Sequence, residues 1–190
     1  MPLDGVVVDS GANIGQMLIY LSEYVPRGRV LAFEPFAEAA DWLEECLAVH
    51  PHLPVELFRL GLAESSSEAY LQTIGAKELH GSWNRLSETD GTPIRVVRLE
   101  EVLAKKGIQT VDLWKLDVEG SEINALRGAE SLLQSHRIRA LYVELGFGQG
   151  QQIVDFLAAR KYRCYLFDNE GNYQQASVLP EHTNGLFLPY

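Results

Sequence analysis

The feature that most constrains this 190-residue chain is an apolar run near its start, Gly5–Asp9 (GVVVD), continuing into Ser10-Gly11-Ala12-Asn13-Ile14-Gly15. An unbroken apolar run suits a strand covered on both faces, as in a parallel sheet. The helix-like segment Ile14–Val25 follows directly, so the glycine-containing turn joins a strand to a helix. Open α/β sheets hold ligands at such turns, beyond the carboxyl ends of their strands. Gly11 would let a ligand approach the backbone, and Asn13 is a residue that tolerates positive φ. Gly15 would allow the helix to pack closely on the strand. The dinucleotide fingerprint is G-x-G-x-x-G; counted from Gly11 it needs glycine at 13 and 16, where this chain has Asn13 and Gln16.

The rest of the chain repeats the alternation of strand and helix that builds a parallel sheet with crossover helices. Strands are expected at Arg29–Glu34, Val55–Leu62, Val111–Asp117, Ile138–Leu145, Tyr162–Asp168 and Gly185–Leu188. Helices are expected from Pro35 to the Pro51 stop, and at Leu99–Lys106, Glu122–His136 and Gln151–Arg160. The stretch 63–97 is the least regular, with short β segments expected only near Ala69–Thr73 and Ile94–Arg98; it reads as a lid or substrate segment. The turn at 169–172 makes the last two strands an antiparallel pair. The expected fold is therefore α/β: a doubly wound, Rossmann-like sheet of about seven strands, the last antiparallel, in one domain spanning 1–190.

The formal net charge of −10 opposes binding to a phosphate backbone, and no Lys/Arg run offers a nucleic-acid footprint. No segment has the 18 to 20 apolar residues of a membrane helix, and the first residues lack the pattern of a signal peptide. Two cysteines do not make a disulfide scaffold. These features point to a cytoplasmic protein with a small-molecule partner and neither nucleic acid nor membrane as substrate.

Two further positions extend the candidate ligand site. Glu34 ends the second strand 23 residues after Gly11, near the spacing of a carboxylate that accepts hydrogen bonds from ribose hydroxyls, and Pro35 follows it. Gly61 and Leu62 close the third apolar run, where an adenine ring could lie. The helix amide groups after the glycine loop favour an anionic group, while Asp9 would repel a pyrophosphate and attract a cationic ligand. VVVDSGANIGQ, AFEP and LWKLDVEGSEINALRGAESLL together resemble the FkbM family of methyltransferases. The third block is the most specific, with Lys115, Asp117, Val118, Glu119, Gly120, Glu122, Leu126, Gly128 and Ala129 in the family's order. The resemblance implies a class I methyltransferase fold, S-adenosylmethionine as cofactor, and O-methylation of a sugar or polyketide-like hydroxyl. Two departures stand out. Ser10 occupies a position where the family has a small apolar residue. The first strand also begins only four residues into the chain, where family members carry a segment that helps cover the site, so either the site is open or cover is expected from 63–97, from a partner subunit in a homodimer, or from a further portion of a longer protein.

An alcohol acceptor must lose a proton, which a positioned base assists. Asp117, at the carboxyl end of the fourth core strand, is the first candidate, with Glu119 second. Lys115 is expected to pair with one of the strand-end acids Asp117, Glu119 and Glu144, because a lysine in a core strand is not left buried alone. Asp117, Glu119 and Glu144 end neighbouring strands, so they could instead hold Mg²⁺, or Glu119 and Glu144 could simply cap helices and pair with Lys115 or Arg127. His80, with Ser82, Trp83 and Asn84, forms a further cluster in the middle segment and is a third candidate base. The remaining histidines show no metal-ligand spacing. An N- or C-methyltransferase, or a module that binds the cofactor without turnover, are the alternative readings.

Overall fold

The computed structural model describes residues 1–73, 84–87, 89–168, 170–176, 178–180 and 182–190. Twelve strands occur among these residues: β1 (Val6–Ser10), β2 (Arg29–Phe33), β3 (Val55–Phe58), β4 (Gly61–Leu62), β5 (Ser67–Thr73), β6 (Asn84–Ser87), β7 (Thr92–Val97), β8 (Leu113–Leu116), β9 (Leu141–Glu144), β10 (Tyr162–Phe167), β11 (Tyr173–Gln175) and β12 (Asn184–Pro189). Eight of them form one sheet in the order β11-β10-β12-β9-β8-β1-β2-β3. β1 pairs in parallel with β2 on one side and β8 on the other, which puts the reversal of strand order at β1/β8. β12 inserts antiparallel between β9 and β10, as expected of the last strand, and β11 adds an antiparallel edge.

The pleat directs alternate residues of the central strands to opposite faces. Val7, Val30 and Ala32 face one way and pack with Leu18 and Leu21 of α1 (Leu18–Tyr24) and Leu43 of α2 (Ala37–Val49). Val8, Leu31 and Phe33 face the other way, in a larger core with α3 (Leu99–Lys105), α4 (Glu122–Arg127), α5 (Glu130–Gln134) and α6 (Gly150–Ala158). Helices therefore cover both faces, and the strands between them carry the expected apolar runs.

Four expectations need correcting. The third run is not one strand: β3 ends at Phe58 and β4 belongs to a second sheet, ordered β4-β7-β5-β6. The middle segment is thus more regular than its glycines suggest, with β5 pairing antiparallel to both β6 and β7. The helix expected from Ile14 begins only at Leu18, because Asn13 and Gly15 both take positive φ (48° and 86°) and a right-handed helix cannot start until they are passed. The helix expected over Glu122–His136 breaks between α4 and α5. There a Cβ on Gly128 would lie 2.0 Å from the Ala63 carbonyl oxygen, so the second sheet's backbone occupies the space a longer side chain would need.

Candidate active site

A cleft opens at the carboxyl ends of β1, β2 and β8 and encloses about 1010 Å³ free of protein atoms, part of it open to solvent. Gly11, Asn13, Glu34, Pro35, Gly61, Leu62, Asp117 and Glu119 all line it, so eight of the residues singled out in the sequence converge on one space. Ser10, Gln16, Met17, Phe33, Leu60 and Lys115 line it as well, and the second sheet contributes Leu71 and Leu86. These last two had no signal in the sequence, since only the fold of the second sheet carries them to the cleft. His80, Ser82 and Trp83 lie outside the described residues.

The glycine loop is fixed largely by the protein's own groups. The Gly11 and Ala12 amides both donate to Phe33 O (3.0 and 3.1 Å), and the Gly15 amide donates to Ala12 O (2.9 Å). Asn13 N–H donates to Glu34 Oε2 at 2.8 Å, while Glu34 Oε1 accepts from Phe36 N–H at 2.8 Å. The expected anion-binding amides of the loop are therefore largely engaged by β2 and Glu34. Gly11 has φ 77°, and a Cβ there would sit 1.8 Å from the Asp117 carbonyl oxygen. Its smallness serves the approach of the two strand ends. Gly15 fits against Leu43 of α2, so it packs the loop before α1 onto α2 and not, as expected, a helix onto the strand.

Glu34 is only 7% exposed, and each oxygen holds one backbone amide, leaving acceptor capacity towards the cleft. Burial raises its pKa despite those two amides. Asp9 lies deeper, with no exposed surface, and is not part of the cleft wall. Burial raises its pKa, and the opposing pull comes from Lys115, whose Nζ is 3.1 Å from Asp9 Oδ1. Direct attraction of a cationic ligand by Asp9 is thus corrected: Lys115 already neutralises it. Ser10, the departure from the family pattern, has a local reason, since its buried hydroxyl accepts a 2.8 Å hydrogen bond from Trp114 Nε1 of β8.

The other wall is acidic. After β8 the chain turns through two left-handed residues, Glu119 (φ 52°) and Gly120 (φ 90°). This lets Glu122 fold back, so that its Oε1 accepts from the amides of Val118 (3.0 Å) and Gly120 (3.2 Å). Glu122 is 1% exposed and its Oε2 has no protein partner; Glu144 Oε2 is likewise buried without one. Burial first, then the negative charges of Asp117 and Glu122, push the Glu119 carboxyl up to about 7. Burial, then the charges of Asp117, Glu119 and Glu122, push Glu144 up to about 8. Lys115 pairs with Asp117 at 3.6 Å as well as with Asp9, and does not pair with Glu119 or Glu144. Glu122 was read in the sequence as a helix start and as part of the family block, with no role in the site; its fold-back depends on the left-handed turn, which the Glu-Gly dipeptide alone does not announce. Among the described residues, no three of His, Cys, Asp and Glu come together in a way that could hold a metal ion.

The family model for the methyltransferase FkbM domain matches residues 9–164. Methyltransferase 1 of Beauveria bassiana is 30% identical over 149 residues, covering 68% of this chain and 60% of that protein. The hexuronic acid methyltransferase AglP of Haloferax volcanii is 29% identical over 147 residues, covering 76% and 57% respectively. The AMB antimetabolite synthetase AmbE of Pseudomonas aeruginosa is 27% identical over 182 residues, covering 76% of this chain but 8% of AmbE. The chain thus spans well under two thirds of the length of each of these relatives. The crystal structure of methyltransferase FkbM from Methylobacillus flagellatus superposes with a TM-score of 0.67 over 98% of this chain and 44% of that one, at 17% identity. At that identity the match shows the fold, which is the class I methyltransferase sheet.

Proposed function

Because this chain belongs to the FkbM methyltransferase family, we propose that it is an S-adenosylmethionine-dependent O-methyltransferase acting on a hydroxyl of a small molecule. The observation that carries the reading is Glu34. Its carboxylate is held by two amides at the floor of a cleft whose opposite wall carries Asp117 and Glu119. The residues fit the cofactor. Glu34 has acceptor capacity for ribose hydroxyls, and Phe33, Pro35, Leu60 and Leu62 offer apolar surface to a purine ring. When bound, S-adenosylmethionine supplies a methyl group already activated for transfer to an oxygen nucleophile.

The protein's own work is then to orient the acceptor and take its proton. Glu119 suits that role: a carboxyl held near 7 takes up a proton close to neutral pH, where general bases are most effective. The sequence put Asp117 first, but Asp117 is tied to Lys115 (3.6 Å). We therefore give Glu119 the base role and Asp117 that of orienting the acceptor hydroxyl. Leu71 and Leu86 place the second sheet at the cleft, in keeping with a lid or substrate role for 63–97.

The likeness to AglP supports a uronic acid or related sugar as acceptor. The free cysteines Cys46 and Cys164 suit a cytoplasmic setting, and no helix among the described residues is long and apolar enough to cross a membrane. Exposed Tyr20, Tyr24 and Trp42 suit self-association as a homodimer, which sedimentation of the purified chain checks. The decisive assay follows labelled methyl from S-adenosylmethionine into a panel of uronic acids, neutral sugars and amines. Transfer to a hydroxyl of the first two supports the proposal; transfer only to amines assigns N-methylation. Cofactor binding with no transfer to any acceptor favours a binding module.

A further inference from the structure

We propose that Lys115 is a positioning residue: it ties the glycine loop to the strand end that carries Asp117, and thereby sets affinity for an adenosyl ligand. The second half of this inference rests on the cofactor proposed above; the first half does not.

Lys115 stands directly opposite Asp9 in the β1/β8 register, so the two side chains leave the sheet on the same face. Asp117, two residues further along β8's direction, lies on that face too. A lysine ammonium has three donors. Here it donates a hydrogen bond to the Gly11 carbonyl at 3.1 Å and forms ion pairs with Asp9 Oδ1 at 3.1 Å and Asp117 Oδ2 at 3.6 Å. One partner belongs to the loop itself, one to the strand beneath the loop and one to the opposite wall of the cleft.

A purely structural ion pair would need only Asp9. Lys115 also reaches the cleft surface, with 12% of its side chain exposed. The two contacts on the loop are complementary. Gly11 and Ala12 amides hold Phe33 O of β2 on one side, and the Gly11 carbonyl is held by Lys115 on the other. Without Lys115, Gly11 keeps its attachment to β2 and loses its side-chain tie to β8, leaving the ties one residue earlier, at Ser10, from the Asp117 amide and Trp114 Nε1. Asp9 would at the same time become a buried carboxylate with no cation beside it, a costly state in its own right. These two consequences can be separated experimentally.

The test compares the wild type with Lys115→Met, the charge-neutral double variant Asp9→Asn/Lys115→Met, and Lys115→Arg. Three quantities are read: melting temperature, amide hydrogen exchange at Gly11, Ala12 and Asp117 in the free protein, and calorimetric affinity for S-adenosylhomocysteine. Lys115→Met should lower the melting temperature markedly. The double variant should recover to within a few degrees of the wild type, yet show at least tenfold faster exchange at those amides and at least tenfold weaker binding. A structural ion pair predicts that removing both charges restores all three, and wild-type exchange in the double variant overturns the inference. If the double variant does not fold, Lys115→Arg decides, because it keeps a cation beside Asp9 while its planar fork does not suit three converging oxygens; unchanged exchange there overturns the inference equally. Faster exchange in a protein whose wild type ignores S-adenosylhomocysteine keeps the tie between the strand ends and removes the cofactor.

Discussion

The two walls of the cleft are built on opposite principles. On the β1–β2 side the polar groups at the cleft surface are matched, the Gly11 and Ala12 amides with Phe33 O and the Asn13 and Phe36 amides with Glu34, while Asp9 beneath them has neither oxygen hydrogen-bonded and is met only by the charge of Lys115. On the β8–β9 side, Glu119 sits in a left-handed conformation, and one oxygen each of Glu122 and Glu144 is buried without a partner. A wall of satisfied hydrogen bonds holds a fixed shape, which suits recognition of an unchanging ligand. A wall of crowded carboxyls stores proton affinity, which suits a reaction that must accept a proton.

The largest effect that could break this comparison is at Gly11. Gly11→Ala places a methyl group where the Asp117 carbonyl oxygen stands and forces a positive φ on alanine. It should destabilise the fold by at least about 3 kcal/mol, read by thermal or urea unfolding. A variant with near wild-type stability would mean that the loop is not held against the opposite wall. Next, Glu119→Gln should reduce turnover by roughly 10²–10⁴-fold while leaving cofactor affinity within about twofold. Asp117→Asn should also slow transfer, with a raised KM for the acceptor if it orients the hydroxyl. Retained activity in Glu119→Gln would return the base role to Asp117.

The smallest effect concerns pH. Glu119 and Glu144 hold protons in the native state at pH values where the unfolded chain, with an ordinary carboxyl near 4.5, has released them. Folding stability is therefore lost as pH rises from about 4.5 through about 7 for Glu119 and through about 8 for Glu144. Glu144→Gln removes one of these groups, so melting temperature should rise at pH 8.5 and its decline between pH 5 and 8.5 should flatten. An unchanged pH profile would show that the acidic wall stores less than its crowding implies.

The matched wall was largely legible in the sequence and the crowded wall was not. Gly11, Asn13 and Glu34 lie within a short stretch of chain, and their spacing follows from one strand-turn-helix-strand unit. The acids of the other wall come from β8, the loop behind it and β9, so their proximity depends on strand order and on a left-handed turn at Glu119. Lys115 was expected to find an acid, but its partner Asp9 is set by register across more than a hundred residues of chain. The single apolar run Val55–Leu62 gave no sign that Gly61 and Leu62 pair with Val96 and Val97 in another sheet. The break after α4 was hidden for the same reason, since Gly128 accommodates the Ala63 backbone and not a local turn.

The most direct test of the central claim is calorimetric titration of the wild type and Glu34→Ala with S-adenosylmethionine, using NAD as control. The account predicts micromolar binding of S-adenosylmethionine by the wild type, none of NAD, and a loss of more than tenfold in affinity on removing Glu34. Wild-type affinity in Glu34→Ala, or binding of NAD in place of S-adenosylmethionine, would contradict it.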